Sequence, residues 1–112
     1  PPGRPPERVL IREEGRGVVL PVERIDFIEA QDDYLSFATA GKRHRKQQTL
    51  TELETQLDRA RFVRIHRSFL LNVERLARIE LYGKDSWLAI LNDGVKLPVS
   101  RTGYTRLKEL IG

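Results

Sequence analysis

The chain contains no cysteine, which excludes disulfides, thiol catalysis and cysteine-ligated zinc. Histidine is nearly as scarce: His44 and His66 stand apart, with no carboxylates at metal-ligand spacing around them. No glycine-rich phosphate loop is present, and Ser68 lacks the glycines of a nucleophile elbow. His66 and Ser68, two apart on a strand, share a face without forming a triad, and Asp32-Asp33 offers a weak cation site at best. These gaps point away from an enzyme and imply neither metal nor cofactor. Long apolar runs are missing too. The longest uncharged apolar stretch, Ser68 to Val73, falls far short of the roughly 20 residues that a transmembrane helix needs. The N-terminus has no apolar centre of the kind a signal peptide requires, so no membrane insertion is expected and a cytoplasmic location fits.

What is present suits a single globular domain. The 112 residues are 39% hydrophobic and 32% charged, enough for one core and too few for two independent ones. The net charge of +4 is unevenly spread: residues 1–40 hold five Arg/Lys against eight Asp/Glu, and residues 41–112 hold fifteen against eight. A basic field on one part of a domain attracts phosphate-bearing partners and makes their binding salt-sensitive.

Residues 1–7 read as a proline-rich linker, because four prolines in the first six residues suit neither helix nor sheet. The globular part is expected from residue 8 to residue 112. Short β-branched and aliphatic runs follow at Val9 to Arg12, Gly17 to Pro21, Ile25 to Ala30 and Tyr34 to Thr39. Turn signals at Glu14-Gly15 and Ala40-Gly41 make them antiparallel hairpins. Tyr34-Leu35-Ser36-Phe37 does not alternate, which leaves its buried face open. The run Lys42 to Lys46 is the densest basic segment; it reads as a solvated turn, or as a grip for a nucleic-acid backbone or an anionic surface.

Thr49 and Glu52 form a capping-box pattern ahead of Leu50, Leu53, Leu57 and Ala60, which would share a helical face. Val73 to Leu81 and Ser86 to Leu91 read as paired strands. Asn92-Asp93-Gly94 predicts a tight turn into Val95 to Val99, with Pro98 at an edge or a strand end. A last helix over Thr102 to Ile111 would present Tyr104, Leu107, Leu110 and Ile111 in one stripe, with Gly112 as its stop. The fold class is therefore mainly β, with one internal and one C-terminal helix.

Two segments carry the functional signal. In Phe62 to Asn72, apolar residues bracket the basic and polar step His66-Arg67-Ser68. In Leu97 to Arg101, an apolar strand ends on Ser100 and Arg101. Two arginines anchored in this way suggest contact with something anionic.

In order and type, these residues resemble the LytTR family of bacterial DNA-binding domains, which carry a similar His, basic or polar, Ser step before a Leu/Val-Asn pair. Phe27-Ile28-Glu29-Ala30 with Tyr34, the Leu50 to Leu57 helix, and Val99-Ser100-Arg101 before a last helix support the likeness over residues 8 to 111. The resemblance implies an elongated stack of small antiparallel sheets. It also implies a sequence-specific double-stranded DNA-binding output domain of a transcriptional regulator that reads direct repeats through loops, in two copies on tandem sites, under an upstream receiver or sensor domain.

Carried onto this chain, the family pattern puts Arg101 in a major groove, where arginine donates two hydrogen bonds to guanine O6 and N7. A plain surface pair with Glu109 is the other fate open to it. Arg67 would reach DNA between the two major-groove loops, in a narrow minor groove or on a phosphate. His66 is a base contact or a hydrogen-bonded structural group, and Ser68 a phosphate donor or a turn stabiliser. The loop Gln31-Asp32-Asp33-Tyr34 departs from the family's Gly-Asn-Tyr. Asp33 either accepts from cytosine N4 or the loop avoids DNA, and Tyr34 either contacts DNA or packs inside. That acidic loop keeps alive a rival reading, a β-rich protein-interaction module that has lost specific DNA binding. A charge-only binder of RNA or acidic surfaces through Lys42 to Lys46 is the second rival.

Overall fold

The structure, a computed structural model, describes residues 4–112. The first three residues of the proline-rich lead-in lie outside the described residues, and Arg4 to Pro6 are exposed without regular structure. Ten strands and two helices follow. They are β1 (Arg8–Glu13), β2 (Arg16–Pro21), β3 (Phe27–Gln31), β4 (Tyr34–Thr39), β5 (Lys42–Lys46), α1 (Leu50–Gln56), β6 (Phe62–His66), β7 (Phe69–Asn72), β8 (Leu76–Leu81), β9 (Trp87–Leu91), β10 (Lys96–Val99) and α2 (Arg101–Ile111).

Turn chemistry decides the hairpins. Glu14-Gly15 and Ala40-Gly41 all take positive φ, which allows the tight β1–β2 and β4–β5 reversals. In Asn92-Asp93-Gly94 only Gly94 does so. All pairing is antiparallel, in a two-stranded sheet (β1-β2), a three-stranded sheet (β10-β9-β8) and a five-stranded sheet ordered β5-β4-β3-β7-β6.

The five-stranded sheet lies in the middle and is covered on both faces. Ile28, Leu35, Phe37 and Leu70 pack on one side against Val9, Ile11 and Leu20 of the β1–β2 hairpin and Leu50 and Leu53 of α1. Phe27, Val63, Ile65 and Leu71 pack on the other against Ala89, Leu91, Leu97 and Val99 of the three-stranded sheet and Leu107 of α2. Stacking these layers gives an elongated body of 46 × 30 × 24 Å. It also explains β4: Leu35, Ser36, Phe37 and Ala38 are all buried, because both faces of an inner strand are covered, so no polar alternation is needed.

Asn72 is the one fully buried polar side chain among the described residues with under 2% exposure. Its Nδ2 donates to the carbonyls of Ile25 (2.9 Å) and Glu23 (3.4 Å), and its Oδ1 accepts from the Glu74 amide (3.1 Å). It thereby closes the β2–β3 connection onto the start of a short 3₁₀ turn at Val73–Arg75.

Four expectations need correction. The Thr49 capping box forms, yet α1 stops at Gln56 and Ala60 lies exposed in the following turn, where the Asp58 carboxylate accepts from the Ala60 amide. Val73–Arg75 is 3₁₀ rather than strand, because Asn72 caps it. Gly112 does end α2, but only Gly103 and Leu107 of that helix are buried; Leu110 and Ile111 run past the sheet into solvent. Lys42–Lys46 is an edge strand, not a solvated turn. Pro98 falls on β10, an edge strand as its missing amide demands.

Candidate nucleic-acid interface

The β6–β7 hairpin turns at Arg67-Ser68. Because Glu29 pairs with Phe69 and Gln31 with Tyr34, the Asp32-Asp33 turn lies at the same end of the sheet. The Ala30 amide donates to the Ser68 carbonyl at 2.8 Å and ties the two turns together.

Three contacts shape the Arg67 turn from below. Arg64 donates through Nε to the His66 carbonyl (3.1 Å) and through Nη2 to the Arg67 carbonyl (2.6 Å), while its Nη1 is held by Glu54 of α1 at 2.9 Å. The Ser68 amide donates to His66 Nδ1 at 3.1 Å, so the ring proton belongs on Nε2. The imidazole also meets the Phe69 ring edge-on at 5.8 Å. Burial first, then the charges of Arg67 and Arg64, push the His66 pKa below its ordinary value. His66 is thus a hydrogen-bonded part of the turn. The Arg67 side chain is exposed and makes no hydrogen bond or ion pair among the described residues.

Arg101 is the first residue of α2, not a loop residue, because Ser100 caps the helix: its Oγ accepts from the Gly103 amide at 3.0 Å. Its guanidinium pairs with Asp85 of the β8–β9 turn at 3.1 Å rather than with Glu109, and 76% of the side chain stays exposed. Ser100 also reaches the other site. Its amide (2.8 Å) and its hydroxyl (3.3 Å) both donate to the Ile65 carbonyl. That carbonyl is free to accept because β6 carries one extra residue between Arg64 and His66, a bulge that takes Ile65 out of the ladder. Arg106 of α2 adds a bond to the Arg64 carbonyl at 3.1 Å. Arg67 and Arg101 therefore project from parts of one hydrogen-bonded framework.

The remaining candidates are less committed. Asp32 and Asp33 are exposed, with Asp32 at positive φ. Tyr34 is half-buried under the Arg45 guanidinium, 4.4 Å from its ring centre, and so does not enter the core. In β5, Arg43 is occupied by Glu29 (3.2 Å), the Ser36 hydroxyl (3.1 Å) and the Phe27 ring (4.8 Å), and His44 bonds Glu13 at 2.7 Å. Elsewhere Arg61 pairs with Glu74, Arg78 with Glu80 and Arg75 with Asp26.

Sequence reading missed Glu54, Gly103 and Asp85, and placed Arg64 only in a general basic field. A glycine inside an amphipathic helix was the available sign of close packing at Gly103. Nothing local marks the bulge.

Stacked antiparallel sheets with anchored arginines at strand and helix ends define a mainly β domain equipped to meet a polyanion. The family model of the LytTr DNA-binding domain matches residues 15–112, and the chain belongs to that family. It is 32% identical over 94 residues to the sensory transduction protein LytT of Bacillus anthracis, a match covering 84% of this chain and 38% of that protein. It is 26% identical over 108 residues to the heme-containing CO-sensing transcriptional regulator RcoM 1 of Paraburkholderia xenovorans, covering 94% and 40% respectively. The chain thus spans about two fifths of the length of these relatives. A solved LytTr DNA-binding domain from Bacillus cereus has the same fold, with a TM-score of 0.86 at 23% identity over 96% of this chain and 98% of that one.

Proposed function

We propose that this domain binds double-stranded DNA sequence-specifically as the output module of a bacterial transcriptional regulator, without catalysis or cofactor, in the cytoplasm. The observation that carries this is the pair Arg67 and Arg101, both exposed and both built on the Ile65 bulge and its partners. Arg101 reads a base edge from the first turn of α2 in one major groove. Arg67 enters the intervening minor groove or holds a phosphate, Ser68 supplies a polar group beside it, and His66 shapes the turn. Asp33 and Tyr34 belong to the neighbouring loop, where Asp33 accepts from a cytosine N4 or stays clear of the phosphates. Two copies occupy tandem direct repeats. Residues 1–7 lead in from an upstream receiver or sensor domain, and residues 8–112 form the binding unit. No helix among the described residues is long and apolar enough to cross a membrane.

Selection from a random duplex library at about 0.15 M salt tests this reading. Recovery of a repeated motif that Arg101→Ala blurs at one position supports it. A folded protein that enriches nothing favours the protein-interaction module instead. Binding that vanishes with salt and shows no sequence preference would indicate a charge-only surface.

A further inference from the structure

We infer that Glu54 and Arg64 are positioning residues for Arg67, and that Glu54, although acidic, raises the affinity of this domain for DNA. The inference rests on the proposed role of the Arg67 turn at the DNA.

Arg64 is poorly placed to bind DNA itself. Only 18% of its side chain is exposed, and its fork already serves two carbonyls and one carboxylate. The two carbonyls belong to His66 and Arg67, the residues whose peptide planes set the direction in which the Arg67 side chain leaves the turn. A planar guanidinium holds both in one rigid fork, with a donor left for Glu54, a geometry that the rotatable point charge of an ammonium does not impose. Glu54 comes from a different element, α1, and removes the last freedom of the fork by taking its Nη1 at 2.9 Å. Arg106 of α2 meanwhile donates to the Arg64 carbonyl, fixing the strand on which this clamp is built. The Arg67 side chain is thus left without internal partners on a turn whose backbone is held by donors from below, so only the side chain's own rotamers remain to be ordered when it meets a ligand.

This makes an unusual demand on charge. If attraction to phosphate were all that mattered, removing a carboxylate would tighten DNA binding. Positioning requires the reverse.

The test uses the DNA element selected by the wild-type chain and measures affinities of Glu54→Gln, Arg64→Lys and Arg67→Ala, and of Glu54→Gln combined with Arg67→Ala. Melting curves confirm that each is folded. Glu54→Gln is expected to weaken specific binding by roughly three- to tenfold despite the loss of a negative charge, and to have no further effect once Arg67 is alanine. Arg64→Lys, which keeps the charge and loses the fork, should weaken binding at least as much. Binding by Glu54→Gln that is unchanged or tighter, beside a weakened Arg67→Ala, overturns the inference while leaving the role of Arg67 intact. A Glu54→Gln loss that persists in full without Arg67 also overturns it. Arg67→Ala that binds like wild type removes the parent reading, and the inference falls with it.

Discussion

Gly103 in the first turn of α2 lies directly on the backbone of Ile65, so closely that a methyl group at position 103 would overlap the Ile65 carbonyl. The same carbonyl is the one that Ser100 holds by two hydrogen bonds. The helix therefore docks through backbone, and backbone cannot swing aside as a side chain would.

Gly103→Ala should push α2 away from β6 despite the better helix propensity of alanine. A loss of about 2 kcal/mol or more is expected, the scale of overpacking in a tight core. For a domain of this size that lowers the melting temperature by roughly 10 °C. A melting temperature within a degree or two of wild type would show that the contact can relax.

Arg101→Ala separates stability from recognition. The Arg101–Asp85 pair is largely exposed on both sides, and such pairs add little to folding. Chemical denaturation should be nearly unchanged, whereas affinity for the selected DNA should fall by about 1–3 kcal/mol, with relaxed preference at one base pair. Loss of folding stability on that scale would mean that the residue is structural.

His66 makes the Arg67 turn sensitive to acid. Its Nδ1 accepts the Ser68 amide, and protonation would set donor against donor. With the folded pKa below the ordinary value, the neutral ring's contribution is fully present above the unfolded value of about 6.5 and is lost as pH falls through the folded value. Melting curves between about pH 7.5 and 5 should show a larger acid-side loss for wild type than for His66→Asn. Parallel curves would remove His66 as the titrating group.

Asn72→Leu should cost about 2–3 kcal/mol although it adds apolar surface. The carbonyls of Ile25 and Glu23 and the amide of Glu74 would lose a buried partner, and an unpaired buried polar group costs more than its hydrogen bond contributes. Urea unfolding measures this directly; a change under 0.5 kcal/mol would show that water replaces the amide.

Much of this fold is written locally. Glu14-Gly15, Ala40-Gly41 and the Thr49–Glu52 box state their turns and cap in residue chemistry, and the chain obeys them. Where local signals fell short or left the answer open, partners distant in sequence decided. Ser36 and Ala38 are buried because a second sheet covers β4, which a period-two search cannot detect. Leu110 and Ile111 continue a helical stripe beyond the surface that would bury them. Arg101 could be picked out as an anchored cation, but its place on a helix depends on Ser100 acting as cap. Its partner, Asp85, lies across a hairpin sixteen residues away. The bulge at Ile65 has no glycine or proline to announce it, yet it joins the two arginine sites.

The position of β5 gives its basic run a second consequence. A row of unpaired amides and carbonyls at a sheet margin is a template on which another chain can add a strand, and lysine and arginine along that margin oppose it by repulsion between copies. Lys42, Arg45 and Lys46, which pair with no carboxylate among the described residues, would therefore oppose strand addition between copies at this margin. Neutralising them would show itself as aggregation in concentrated solution, whatever it did at the DNA.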